Sequence, residues 1–203
     1  MTDNLETRRE TILAAAEAIV LEEGYASLSF EKIAAATGVD AEQVKDLFPT
    51  GDVLGQAVLE RYARLDMELF EEFSRRAHAE AKNPLDRVLV FIGYFNDFLD
   101  DLEKPFPGCV FASYTYSRGH FGPDTQKFID RSLSAWAALF EEKFEELIRW
   151  RKPKVPVTAK ELAEMITTTI EGGFIMTNAK NDARWTQRQA EQFQKYVQLL
   201  FGE

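Results

Sequence analysis

The sequence predicts an all-α protein: three short helical stretches near the N-terminus, followed by longer ones. Three observations predict it. Apolar residues recur at helical spacing along most of the chain. Cap signals (Ser29, Asn83-Pro84, Thr158-x-x-Glu161, Thr186-x-x-Gln189) stand where those stretches begin. Breaks at Phe48-Pro49-Thr50-Gly51 and Lys104-Pro105-Phe106-Pro107-Gly108 separate them. With 203 residues and 45% hydrophobic content, the chain can bury a core as one domain, or as a small domain plus a larger one.

Thr7 to Glu23 reads as an amphipathic helix with Ile12, Ala15, Ala16, Ile19 and Val20 on one face, ended by Gly24. Ser29 to Phe48 reads as two short helices. Ser29 caps the first, whose apolar face is Phe30, Ile33 and Ala34. Gly38 serves the tight turn, where a positive φ is required. Asp40 caps the second, with Gln43 completing a capping-box pattern, and Val44, Leu47 and Phe48 face inward. This is a helix-turn-helix pattern, whose second helix enters the DNA major groove. Thr50 then caps a long helix with Leu54, Val58, Tyr62, Leu65, Leu69 and Phe73 at helical period, ending near Arg76.

In the body, Asn83 caps a helix rich in Phe91, Ile92, Tyr94, Phe95 and Phe98, apolar on more than one side. A short helix follows from Cys109 to Ser117, then a loop at Arg118–Pro123. A long helix spans about Asp124 to Trp150, with Phe128, Leu133, Trp136, Phe140, Phe144 and Leu147 inward. RKPKVPV is a basic, solvated linker. The last two helices begin at Thr158 and Thr186.

The stretch from Ile12 through Gly24-Tyr25, Ser29-x-x-x-Ile33-Ala34-x-x-x-Gly38-Val39, Phe48-Pro49-Thr50 and Leu54 resembles the TetR family of bacterial transcription regulators. The resemblance covers roughly the first 60 residues. It implies a helix-turn-helix DNA-binding domain at 1–50 and a helical ligand-binding and dimerisation domain at 51–203. It further implies a homodimer on a palindromic operator, with Asp40, Ala41, Gln43 and Lys45 on the reading helix. Ser29, Lys32 and Thr50 are the expected phosphate-facing positions at helix starts. The final two helices, Thr158–Phe201, resemble the pair that forms a four-helix bundle across such a dimer, with Ile170 and Val197 expected in the shared interface.

The reading helix departs from the family pattern. Glu42 stands for the usual Gly, Lys45 for the usual Tyr, and Asp46-Leu47 for the usual aromatic or His-aromatic pair. Gly51 stands where a phosphate-binding Lys is common. Of the chain's net charge of −10, residues 1–60 carry −8, with only Arg8, Arg9, Lys32 and Lys45 basic. Carboxylates facing a polyanion lower affinity, yet Glu can read cytosine and Gln43 adenine. Two readings follow: a specific reader, or a head whose DNA binding is weak or lost.

Phe, Tyr and Trp number sixteen, six and three, most of them after residue 60. They suit a dry pocket for a small apolar or aromatic effector. Its expected wall is Phe91, Tyr94, Phe98, Tyr114, Trp136, Phe140 and Phe174, with Cys109 beside it. A Gly108-Cys109 helix start resembles TetR-type bodies in which the cysteine senses oxidants or electrophiles; a small buried hydrophobe is the other reading. No catalytic residue, metal ligand set or cofactor motif stands out, since His78 and His120 lie far apart and the glycines form no phosphate loop. No apolar run reaches membrane-spanning length, the N-terminus has no signal-peptide core, and one cysteine suits a reducing cytoplasm. The expected function is a ligand-responsive homodimeric transcriptional regulator, a repressor. The alternative is a dimeric small-molecule-binding protein of the same fold.

Overall fold

The computed structural model describes residues 2–102, 106–117, 119 and 121–202. Lys104 and Pro105 of the expected break, and Arg118 and His120 of the expected loop, lie outside the described residues. Nine α-helices are found among those described: α1 (Thr2–Glu23), α2 (Phe30–Thr37), α3 (Ala41–Leu47), α4 (Gly51–Glu80), α5 (Pro84–Asp100), α6 (Val110–Tyr116), α7 (Pro123–Trp150), α8 (Ala159–Lys180) and α9 (Trp185–Phe201). A 3-10 turn, Tyr25–Ser27, follows α1. None is long and apolar enough to cross a membrane.

The chain forms two compact units. The first holds Met1–Asp66 and Cys109–Ser132, the second Met67–Gly108 and Leu133–Glu203. Compactness thus divides the chain elsewhere than at residue 50, and both α4 and α7 contribute to each unit.

In the first unit, Ile12, Ala16 and Val20 recur every four residues along α1 and are wholly buried, as are Ile33, Val44, Phe48 and Val58. Arg61 of α4 holds two α1 carboxylates, Glu10 at 2.6 Å and Glu17 at 2.5 Å. Tyr114 of α6 is fully buried and donates its hydroxyl hydrogen to the Gly55 carbonyl at 2.8 Å. Its ring centroid lies 4.1 Å from that of Tyr25.

The second unit is built on aromatic contacts. Phe70 of α4 meets Phe91 and Phe95 of α5 and Trp136 and Phe140 of α7, all with centroids within 6.0 Å. Helices α8 and α9 pack together through Gly173, where a Cβ would stand 2.9 Å from the Thr186 Cα. The basic linker is strapped rather than free: Arg151 donates to the Phe201 carbonyl at 2.8 Å, and the Lys154 amide to that of Leu200 at 2.9 Å. These bonds satisfy carbonyls left open at the α9 C-terminus.

Several sequence expectations require correction. The α4 stripe predicted through Leu65 and Leu69 shifts: Leu65 is exposed, and Phe70, Phe73 and Ala77 carry the buried face. Thr186 does not cap α9. It lies inside the helix and its hydroxyl is buried against that of Thr177 at 2.9 Å, while the Asp182 carboxylate accepts from the Arg184 amide in the preceding turn. Asp40 caps α3 through the Glu42 amide, one residue short of the Gln43 partner of a capping box. Ile170 and Val197 are 2% and 0% exposed within one protomer, so they belong to the core and not to a surface.

Candidate nucleic-acid interface and effector site

The helix-turn-helix pattern is realised in α2 and α3. Ser29 caps α2 by accepting from the Lys32 amide at 3.2 Å. Gly38 takes φ +71, and its N–H closes the helix on the Ala34 carbonyl. Ile33 and Val44 are buried and fix the two helices on one core. That leaves Asp40, Glu42, Gln43 and Asp46 exposed on α3, with Ala41 and Lys45 half-buried. Thr50 caps α4, accepting from the Val53 amide at 3.2 Å. The seven expected contact positions therefore lie at the starts of α2 and α4 and along α3.

Three of the head's four cations are engaged, two in ion pairs and one on a ring. Lys45 is ion-paired with Glu42 one turn before it at 3.1 Å, and its ammonium sits 5.8 Å from the Phe30 ring centroid. The hydrogen bond that Lys45 donates to the Glu42 carboxylate raises the Lys45 pKa above its ordinary value. Lys32 is paired with Glu23 at the end of α1. Arg9 lies over the Phe48 ring, 4.7 Å from its centroid. Glu42 is thus both an exposed carboxylate and the clamp on the lysine of α3.

Six of the eight expected effector-site residues fall in the second unit. Phe91, Trp136 and Phe140 meet edge to face, with centroids 5.2 to 5.4 Å apart along the pairs. Phe174 reaches Phe95 and Phe106, Phe106 reaches Phe98, and Phe98 reaches Phe73, which stacks on Tyr94. The sequence reading missed Phe70, which lies off the predicted α4 stripe and joins five of these rings. The Tyr94 hydroxyl donates to Glu80, and Arg76 lies 3.8 Å from its ring centroid. Trp136 Nε1 is buried with no hydrogen-bond partner among the described residues.

The other two candidates lie in the first unit. Cys109 is buried at the N-cap of α6, in no disulfide. Tyr114 is committed to the Gly55 carbonyl and the Tyr25 ring, and burial pushes its hydroxyl far above the ordinary tyrosine range. It serves the core of the head-containing unit. No group of His, Cys, Asp and Glu fit to hold a metal ion is found among the described residues.

No protein-family model matches the sequence, and no curated protein is detectably similar to it. Solved structures are. A TetR-family transcriptional regulator from Agrobacterium tumefaciens superposes with a TM-score of 0.81 at 18% identity, over 97% of this chain and 99% of its own. A TetR transcriptional regulator from Chloroflexus aurantiacus gives 0.77 at 20% identity, over 99% and 98%. One from Legionella pneumophila gives 0.76 at 17% identity, over 93% and 96%.

Proposed function

For a chain with the fold of TetR-type transcriptional regulators, we propose the function of a homodimeric DNA-binding regulator, a repressor released by a small apolar or aromatic molecule. The observation that carries it is the α2–α3 unit: a glycine-turned pair of capped helices with the polar face of α3 left open. Asp40, Ala41, Gln43 and Lys45 would face the major groove, and Ser29, Lys32 and Thr50 the flanking phosphates. Backbone amides at the starts of α2 and α4 add phosphate contacts without adding charge.

The dimer reading rests on two uncharged stripes. On α8, Met165, Thr168, Gly172, Ile175 and Ala179 recur at helical spacing outside the protomer's core; Met165 and Ile175 are exposed large hydrophobics. On α9, Trp185, Gln189, Gln192, Tyr196 and Leu199 do the same, and Leu199 is 73% exposed. Such faces fit a four-helix bundle between two copies. Effector binding among Phe91, Tyr94, Phe98, Trp136, Phe140 and Phe174 would then favour a dimer whose two α3 helices no longer match half-sites about 34 Å apart. The unpartnered Trp136 Nε1 favours an effector with one hydrogen-bond acceptor, because a buried donor left unmade is costly.

A second reading, a small-molecule-binding dimer that has lost DNA binding, is favoured by the ion pairs that occupy Lys32 and Lys45. Selection from a genomic fragment library at low salt separates the two. Recovery of an enriched palindrome supports the regulator. No enrichment with wild type, but enrichment after changing Glu42 to Gly and Asp46 to His, establishes the second reading.

A further inference from the structure

Lys143 stands apart from the chain's other described lysines. It projects from α7 at a half-buried position, and its ammonium donates to Ser74 Oγ at 2.5 Å. It also lies 4.7 Å from the Phe91 ring centroid. A lysine that only covers apolar surface runs its stem outward and keeps the head in water; this one is turned onto a hydroxyl and a ring. Beside it lies a cavity of about 30 Å³, bounded by Ser74, His78, Arg87, Phe91, Lys143 and Glu146. That is room for one water-sized or carbonyl-sized group. Ser74 and His78 also line an open depression of about 450 Å³ with Glu71, Arg75 and Leu139, which gives the cavity a vestibule.

Burial of Lys143 opposes the charges around it that favour the ammonium. Arg87 of α5 is tied to Glu146 at 2.6 Å and to the Ala81 carbonyl at 3.1 Å, so that carboxylate is shared. Glu142 and Glu146 of α7 favour the ammonium, and α4 contributes His78, Arg75 and Glu71 to the surroundings. Burial outweighs the two glutamates and lowers the Lys143 pKa. A larger free-amine fraction at neutral pH is the property that makes a lysine a nucleophile.

We propose that Lys143 captures small aldehydes as an imine, in the cavity that it forms with Ser74, His78 and Phe91. The Nζ lone pair forms a bond to the carbonyl carbon while the C=O π pair moves to oxygen. A proton passes from nitrogen to that oxygen, giving a carbinolamine. Protonation of its hydroxyl, with Ser74 and His78 placed to carry the proton, releases water and leaves an iminium that loses a proton to the imine. No oxidant or reductant takes part. The site is independent of DNA binding, so it stands or falls separately from the regulator reading.

The test treats the full chain at neutral pH with acetaldehyde and sodium cyanoborohydride, whose hydride adds to the iminium carbon and fixes an ethyl group on nitrogen. Peptide mass spectrometry over a time course reads the occupancy of each lysine. Lys143 is expected to be labelled measurably faster than the exposed Lys152, Lys160 and Lys195, because burial favours its free amine and the amine lies beside a cavity. Lys143→Met is expected to abolish the fast phase of total incorporation while leaving the slow one. Labelling of Lys143 no faster than those three lysines in the wild-type protein overturns the proposal, whatever the stability of the variant.

Discussion

Replacing Glu42 by Ala tests the electrostatics of the reading helix directly. The change removes an exposed carboxylate and frees Lys45 from its 3.1 Å ion pair. Asp40 and Glu31 remain near the freed ammonium, so its reach toward a phosphate is what the experiment measures. Each phosphate neutralised by a cation contributes about −0.9 to the slope of log affinity against log salt. A dimer gains one lysine per protomer, so the slope should steepen by about 1.8. Between about 200 and 50 mM salt, that alone enlarges the salt-driven gain in affinity by about twelvefold. Fluorescence anisotropy with a labelled duplex, either the selected site or random sequence, reads both slopes. A variant slope equal to that of wild type would show that Lys45 does not reach the backbone, and the view that the Glu42 pair holds back a phosphate contact would have to be abandoned.

Three further outcomes are expected. Tyr114→Phe leaves the Gly55 carbonyl without its buried donor and should cost about 1–3 kcal/mol by denaturant titration; an unchanged midpoint would mean that the bond contributes nothing. Arg61→Met strands Glu17 and Glu10, and because Glu10 is half-exposed the loss should be on the order of 2 kcal/mol, below that of a fully buried pair. Burial already raises the Glu17 pKa; a carboxyl with a raised folded-state pKa favours the fold when protonated, so this variant should recover relative to wild type as pH falls from neutral toward that pKa, and a deficit independent of pH counts against it. The pair Ile175→Glu and Leu199→Glu should yield a folded monomer by light scattering and calorimetry; wild type already monomeric at micromolar concentration would end the α8–α9 dimer reading.

The helices were legible wherever a cap or a break is local. Ser29, Thr50, Asn83 and Thr158 all accept the backbone amide three residues on, and Glu161 returns the bond to Thr158. Such signals span one turn and need no tertiary context. Thr186-x-x-Gln189 has the same form and failed because Gly173 lets α9 approach so closely that Thr186 is buried on α8. A residue that reads as a cap in sequence becomes a helix–helix contact once its neighbour lacks a side chain. Phe70 was missed for a related reason: the α4 stripe changes phase between Tyr62 and Phe70, where the helix leaves one unit's core and enters the other's. A single period cannot describe a helix that serves two cores.

Net charge was the least legible quantity, because it counts residues and not partners. Summed over residues 1–60, the head is strongly acidic. Resolved into pairs, four of its carboxylates are occupied: Glu23 by Lys32, Glu42 by Lys45, and Glu10 and Glu17 by Arg61, which lies just outside that segment. The Arg61 pairs tie α4 to α1 and leave the α3 surface unchanged. The Lys32 and Lys45 pairs act on that surface, holding back the two cations nearest the proposed interface while hiding little of the negative charge. DNA binding by this head therefore requires those pairs to open. The cost of opening falls on every sequence alike, whereas the bonds that Gln43 makes and Glu42 accepts at base edges are returned only on a matching site. A head built this way loses specific and non-specific affinity by the same factor and keeps the ratio that the base contacts set, so its acidity is compatible with a selective reader of low overall affinity.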